Sequence, residues 1–298
     1  MNADAHLFPG FRAERIETSE LAIHCVVGGS GPPLLLLHGY PQTHAIWHKV
    51  APRLAASFTV VCADLRGYGD SGKPQGDARH ARYSKRAMAQ DMIETMRALG
   101  FARFRLAGHD RGGRVAHRLA IDHPGAVERM AVLDISPTRT MFARTDAAFA
   151  HAYYHWFFLA QPFDYPERMI GADPRYYLRY KIKAWSRDAP HFDPHALAEY
   201  ERCFCDPAAI HASCEDYRAA ATIDLEHDDA DVAAGRRIQC PLLVLWGEKG
   251  VVHRCFEPLR DWSEVAVDVR GRALPCAHYL AEEAADETYA ELAGFFGE

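Results

Sequence analysis

Aliphatic positions along the chain fall into short continuous runs rather than long helical repeats. Leu21 to Val27, Pro33 to Leu37 and Phe58 to Ala63 are rich in Val, Leu and Ile and bounded by Gly, Pro or Asp. That is the pattern of strands covered on both faces. A helical stretch around Lys85 to Leu99 follows, then strand-like runs at Phe104 to Gly108 and Met130 to Leu133, with a helical segment from Arg114 to Ile121 between them. Such alternation predicts β-α-β units in a parallel sheet. Further strands are predicted at Pro241 to Trp246 and Val265 to Val269, and an amphipathic helix near Asp286 to Phe296 ends the chain.

The stretch between Asp134 and Pro241 breaks this pattern. It is helix-compatible and dense in aromatics, as in Tyr153 to Phe158, and it reads as a cap inserted into the sheet domain over residues 136–222. Residues 1–135 and 223–298 then form one α/β core, and a length of 298 residues suits a core with one insertion. No internal repeat or low-complexity tract interrupts it.

Charge and targeting signals narrow the classes. A net charge of −6 without a stripe of Lys and Arg argues against a nucleic-acid partner. A small anionic substrate stays open, because arginines in a water-excluded pocket act locally on a globally acidic protein. The N-terminus lacks a signal-peptide pattern, and the longest aliphatic run, Leu34 to Leu37, is too short to span a bilayer. No membrane association and a cytoplasmic location are the expectations. The eight cysteines form no Cys-x-x-Cys pair, and Cys203, Cys205, His211 and Cys214 match no usual metal spacing, so neither metal nor cofactor is expected.

Candidate chemistry begins at Leu106 to Val115, where a strand ends in Gly108-x-Asp110-x-Gly112 and a helix starts at once. Glycines at that spacing permit a sharp turn that lifts the middle side chain above the sheet, the geometry of a nucleophile elbow, with Asp110 where serine usually stands. The same residues alone would also suit a helix N-cap. Other segments weigh against the cap. His38 to Pro41 follows an early strand, where half of an oxyanion hole would lie, so the backbone N–H groups of Tyr40 and Arg111 are its candidate donors. Cys276 to Tyr279 lies between the last strand and the last helix and offers His278 as general base. Asp134 and Glu248 both end strands and could orient it, and chain order leaves both open. This set predicts an α/β-hydrolase fold, a mostly parallel central sheet with an inserted helical cap.

An aspartate nucleophile suits a saturated carbon. It leaves an ester that water can cleave, where serine would leave an inert ether. Carbon–halogen bonds and epoxides are the two electrophile classes. Arg111 and Arg114 stand on the first turn of the following helix, on one face, where cations oppose the helix dipole unless an anion is near. Two guanidiniums outnumber the one Asp110 carboxylate, so a substrate carboxylate held by the pair would restore the balance.

Taken together, His109 to Arg114 (His-Asp-Arg-Gly-Gly-Arg), His38 to Gln42, Leu133 to Ile135, Tyr154 to Trp156 and Glu215 to Arg218 resemble the fluoroacetate dehalogenases of the α/β-hydrolase superfamily, over nearly the whole chain. The resemblance implies Asp134 as the acid and His155, Trp156 and Tyr217 as donors to a departing halide, and it implies a homodimer. Tyr40 stands where Phe is expected more often. The implied reaction is hydrolytic dehalogenation of a short 2-haloacid, fluoroacetate giving glycolate and fluoride, with water as co-substrate. An epoxide hydrolase with the same Asp-His-acid set is the alternative. A non-catalytic binding protein on this fold would be expected to have lost part of that set. Tyr153, Tyr176 and Tyr177 read as packing or rim residues, and Leu65 to Ser71 as a structural loop.

Overall fold

The computed structural model describes residues 3–186 and 192–298. Among these, eight strands form one sheet: β1 (Arg12–Glu17), β2 (Ala22–Gly28), β3 (Pro33–Leu37), β4 (Thr59–Ala63), β5 (Phe104–His109), β6 (Val127–Leu133), β7 (Leu242–Gly247) and β8 (Val269–Leu274). Their order across the sheet is β1-β2-β4-β3-β5-β6-β7-β8. The β1/β2 and β2/β4 pairs are antiparallel and every other pair is parallel. Leu34 to Leu37, Val60 to Ala63 and Met130 to Leu133 are buried, because helices cover both faces of a parallel sheet.

Two strand expectations need correction. The run Val265 to Val269 is not a strand: its first residues turn after the helix Pro258–Ser263, with only Ala266 bridging to Ile238, and β8 begins at Val269. Its apolar residues pack where the chain enters the sheet. Conversely, β1, with sequence Arg-Ala-Glu-Arg-Ile-Glu, carries no aliphatic run because it is a largely solvent-facing edge strand.

Between β6 and β7 the chain forms a run of helices from Thr138–Ala143 to Ile223–Ala233. Several of their starts are written locally. Asp173, Asp193 and Asp206 each precede a proline at the first helical position, and each side chain accepts a hydrogen bond from a backbone N–H two or three residues on.

The strand order has a direct consequence for function. Proceeding outward from the centre, the chain runs from β3 to β4 on one side and from β5 to β8 on the other, so the direction of winding reverses between β3 and β5. Loops at the carboxyl ends of those strands diverge and leave a crevice. Those ends carry His38 to Tyr40 and Asp110, with Asp134 one strand away and His278 beyond β8.

Glycine makes the crevice possible at two points. A Cβ on Gly112 would lie 2.4 Å from the His38 carbonyl oxygen, and one on Gly39 would lie 2.6 Å from Asp110 Cβ. Both are closer than real side chains come. The Gly112 clash is with backbone that cannot swing away, so Gly112→Ala should lower stability by about 1–3 kcal/mol in denaturant unfolding.

Candidate active site

Asp110 is the last residue before the helix Arg111–Asp122 and has φ 44° and ψ −112°, a conformation that costs an L-residue of order 1–3 kcal/mol. Its side chain caps no helical N–H. It turns instead toward the β3 loop, where the Tyr40 backbone N–H donates to Oδ2 at 3.1 Å. The elbow therefore presents a carboxylate rather than an N-cap. Asp110 is buried, and burial alone would raise its pKa. His278, Arg114 and Arg111 outweigh that and hold it below the ordinary carboxylate value, so it is ionised.

The structure pairs His278 with Asp134: Nδ1–H donates to Oδ2 at 2.6 Å, while Oδ1 accepts the Gly247 N–H at 3.0 Å. Asp134 also has positive φ, 53°, at the turn off β6. Glu248 is exposed, and its backbone N–H bonds the Leu274 carbonyl. With Nδ1 held, Nε2 is the nitrogen left for a water molecule. Burial alone would push the His278 pKa down, but the Asp134 bond and the nearby Asp110 charge carry it above 6.5. His109 donates Nε2–H to the His278 carbonyl at 2.8 Å, and burial first and then the His278 charge push its pKa to about 3, so it is neutral.

The two arginines have different surroundings. Arg111 is committed: its Nε and Nη2 donate to Asp216 Oδ2 and to the Asp216 carbonyl, each at 2.9 Å, and Nη1 is left buried without a partner. Lys85 and the Tyr68 hydroxyl also bond Asp216. The charge count used above to favour a substrate carboxylate is thus corrected, because Asp216 already balances Arg111. Arg114 is the uncommitted cation. Its Nη1 donates to Thr138 Oγ1 at 2.9 Å and to the Ser136 carbonyl at 3.2 Å, its Nη2 meets Met141 Sδ, and its Nε has no partner. None of those is a carboxylate. Burial lowers its pKa to about 10, with Asp110 opposing the fall, and it remains charged at neutral pH.

Above the arginines lie three buried donors without hydrogen-bond partners: His155 Nδ1, Trp156 Nε1 and Tyr217 Oη. The Arg111 guanidinium sits 4.2 Å over the Tyr217 ring and Arg114 sits 4.6 Å over Trp156. His155 and Tyr217 meet edge to face at 5.4 Å. Burial, with Lys181, His278 and both arginines nearby, pushes the His155 pKa well down, and burial raises that of Tyr217. Both groups are therefore neutral.

Sequence reasoning missed Asp216, Lys85, Tyr68, Tyr153 and Lys181. Tyr153, read as packing, brings its hydroxyl to 3.4 Å from His278 Nδ1. A cavity of about 250 Å³ opens beside His278, lined by Tyr153, Tyr154, Lys181, Trp185 and Arg254 among others. Lys181 is buried there with its ammonium 3.5 Å over the Tyr154 ring, and burial lowers its pKa to about 7. Nothing in the linear spacing of these residues shows that they meet.

Comparisons with known proteins place the chain in a family. A family model described as alpha/beta hydrolase fold matches residues 32–250. The chain belongs to the alpha/beta hydrolases. This hydrolase is 50% identical to a fluoroacetate dehalogenase of Burkholderia sp over 98% of its own length and 96% of that protein's. It is 35% identical to a soluble epoxide hydrolase of Corynebacterium sp. (strain C12), over 88% of each chain. The crystal structure of an alpha/beta hydrolase from Nostoc sp PCC 7120 superposes with a TM-score of 0.95 at 57% identity, covering 97% of this chain and 99% of that one. The resemblance to fluoroacetate dehalogenases drawn from short motifs therefore extends over the full length.

Two predictions follow from the buried charges. Asp216→Asn leaves Arg111 without a carboxylate and Lys85 with only Asp224, at 3.5 Å, and should cost about 3–5 kcal/mol in urea unfolding, whereas Tyr68→Phe, which removes one hydrogen bond, should cost about 1 kcal/mol. Because Asp134 raises the His278 pKa, the neutral base forms only as pH rises through a value above 6.5, so turnover should climb through that limb; in Asp134→Asn the limb should move to lower pH and the rate should fall.

Proposed function

We propose that this hydrolase is a fluoroacetate dehalogenase, converting a short 2-haloacid and water to the hydroxy acid and halide. The observation that carries the reading is the meeting of three buried, unpartnered polar side chains with an ionised carboxylate at the elbow and an arginine that lacks a carboxylate partner. Fluoride is strongly hydrated and leaves poorly, so several converging donors in a water-excluded site offset its developing charge.

In this reading Arg114, with the spare Nη1–H of Arg111, holds the substrate carboxylate. One Asp110 carboxylate oxygen attacks the α-carbon, the carbon–fluorine bond breaks, and fluoride leaves toward His155, Trp156 and Tyr217. His278, oriented by Asp134, then takes a proton from water as its oxygen attacks the Asp110 ester carbonyl. The Tyr40 and Arg111 backbone N–H groups steady the oxyanion, which collapses with cleavage of the bond between the ester carbonyl and the glycolate oxygen; His278 passes its proton to that oxygen, glycolate departs, and Asp110 loses a proton to water and is a carboxylate again. Residues 136–222 act as the cap that excludes bulk water, and Lys181 lines the cavity beside His278. The reading includes a cytoplasmic homodimer, checked by light scattering; no helix among the described residues is long and apolar enough to cross a membrane.

The test follows the oxygen. In a single turnover in heavy-oxygen water, label should enter the Asp110 side chain and not the released glycolate, because the glycolate hydroxyl comes from Asp110. Asp110→Asn should abolish halide release, and His278→Asn should release one equivalent and accumulate the ester by intact-protein mass. Diol formation from an epoxide without any halide release from fluoroacetate or chloroacetate would favour the epoxide hydrolase reading instead, with Tyr217 or Tyr153 as proton donor.

The donor set also predicts a leaving-group effect. Trp156→Phe and Tyr217→Phe should each reduce fluoride release by about 10–100-fold and chloride release from chloroacetate by less, because the weaker carbon–chlorine bond needs less help, as measured by kcat with each substrate.

A further inference from the structure

Away from the elbow, three ligand-type atoms converge beneath the short helix Ala3–Leu7. Asp4 of that helix, His24 of β2 and His44 of the 3-10 turn His44–Trp47 each place one such atom within 4.8 Å of the others. His44 Nε2 lies 2.9 Å from Asp4 Oδ1, and His24 Nε2 lies 3.4 Å from Asp4 Oδ2. That His24 nitrogen is buried and makes no hydrogen bond.

The histidine at the centre is held from behind. His44 Nδ1–H donates to Asp64 Oδ1 at 2.9 Å, and Asp64 is itself fixed by the backbone N–H groups of His44 and Asp70, at 2.8 and 3.0 Å. A carboxylate on one ring nitrogen, with the other facing a convergent point, is the outer-shell arrangement that orients metal-bound histidines. Ring packing fixes the pair further: His44 stacks on Phe8 at 5.3 Å and meets His24 edge-on at 5.0 Å. The dehalogenation chemistry uses none of Asp4, His24 and His44.

We propose that Asp4, His24 and His44 form a site for a divalent transition metal, zinc by preference, with Asp64 as its outer-shell carboxylate. Two imidazoles and one carboxylate are a zinc-type donor set, and a water can complete the tetrahedron because the His24 and Asp4 side chains keep 13% and 12% of their exposure. A dication would take the place of the proton by which His44 Nε2 now meets Asp4. It also staples a five-residue helix, too short to be stable by itself, to β2 and the His44 turn. No bond-making step is involved.

The experiment uses untagged full-length protein stripped with a chelator. Cobalt titration should give saturable visible ligand-field bands at one equivalent per chain, displaced by zinc, and zinc should raise Tm. His24→Asn and Asp4→Ala should each weaken cobalt binding about tenfold or more and abolish the Tm rise, while circular dichroism and halide release match the wild type. Failure of the wild type to bind cobalt saturably overturns the proposal. So does either variant binding cobalt as the wild type does, since the ion would then sit on other histidines.

Discussion

Asp110 is an ionised carboxylate, 4% exposed, at the tip of a strained turn, and the groups around it are arranged by the need to keep that charge without water. A lone buried carboxylate would simply take up a proton. Here the Tyr40 N–H, the His278–Asp134 pair and Arg114 replace its hydration. Each stands on a different strand end, so the charge is kept only when β3, β5, β6 and the loop beyond β8 are in register. The nucleophile and the fold are in this sense one constraint.

The arginines show how charge is apportioned around it. Arg111 is locked to Asp216 and through it to Lys85 and Tyr68, which makes it a rigid wall for Tyr217 rather than a free cation. Arg114 bonds hydroxyl, carbonyl and sulfur, which fix its position without consuming its charge. A carboxylate entering the crevice therefore meets one cation that is both preorganised and unneutralised, and meeting it costs little rearrangement.

The helices between β6 and β7 are joined to the sheet through the same groups. Tyr217 and Asp216 are neighbours on the helix Pro207–Ala220, one facing Arg111 with its ring and the other with its carboxylate. His155 and Trp156 open another helix of the same run. Seating these helices thus positions the unpartnered side chains and closes the arginine network at once, which links the shape of this part of the crevice to the stability of the whole.

The chain by itself determined the parts whose cause is local. Continuous aliphatic runs gave β2 to β7, Asp-Pro pairs start cap helices, and glycines around Asp110 and at Gly39 mark where backbones must pass closely. Asp110, His278 and the Tyr40 loop were legible because the turn chemistry that lifts them is written in adjacent residues. What lies across the sheet was not. The charged edge strand β1 has no apolar signature, and the strand expected from Val265 starts only at Val269, because before it only Ala266 bridges to another strand segment and Val267 stays half exposed. Glu248 and Asp134 were equal on chain order, and only the turn of Asp134 off β6 and the path of the loop beyond β8, which reaches past the neighbouring β7, put Asp134 against His278. Asp216 could not be matched to Arg111, nor His24 and His44 to Asp4, because such pairings depend on where two distant elements come to rest, and folding fixes that through packing rather than through spacing along the chain.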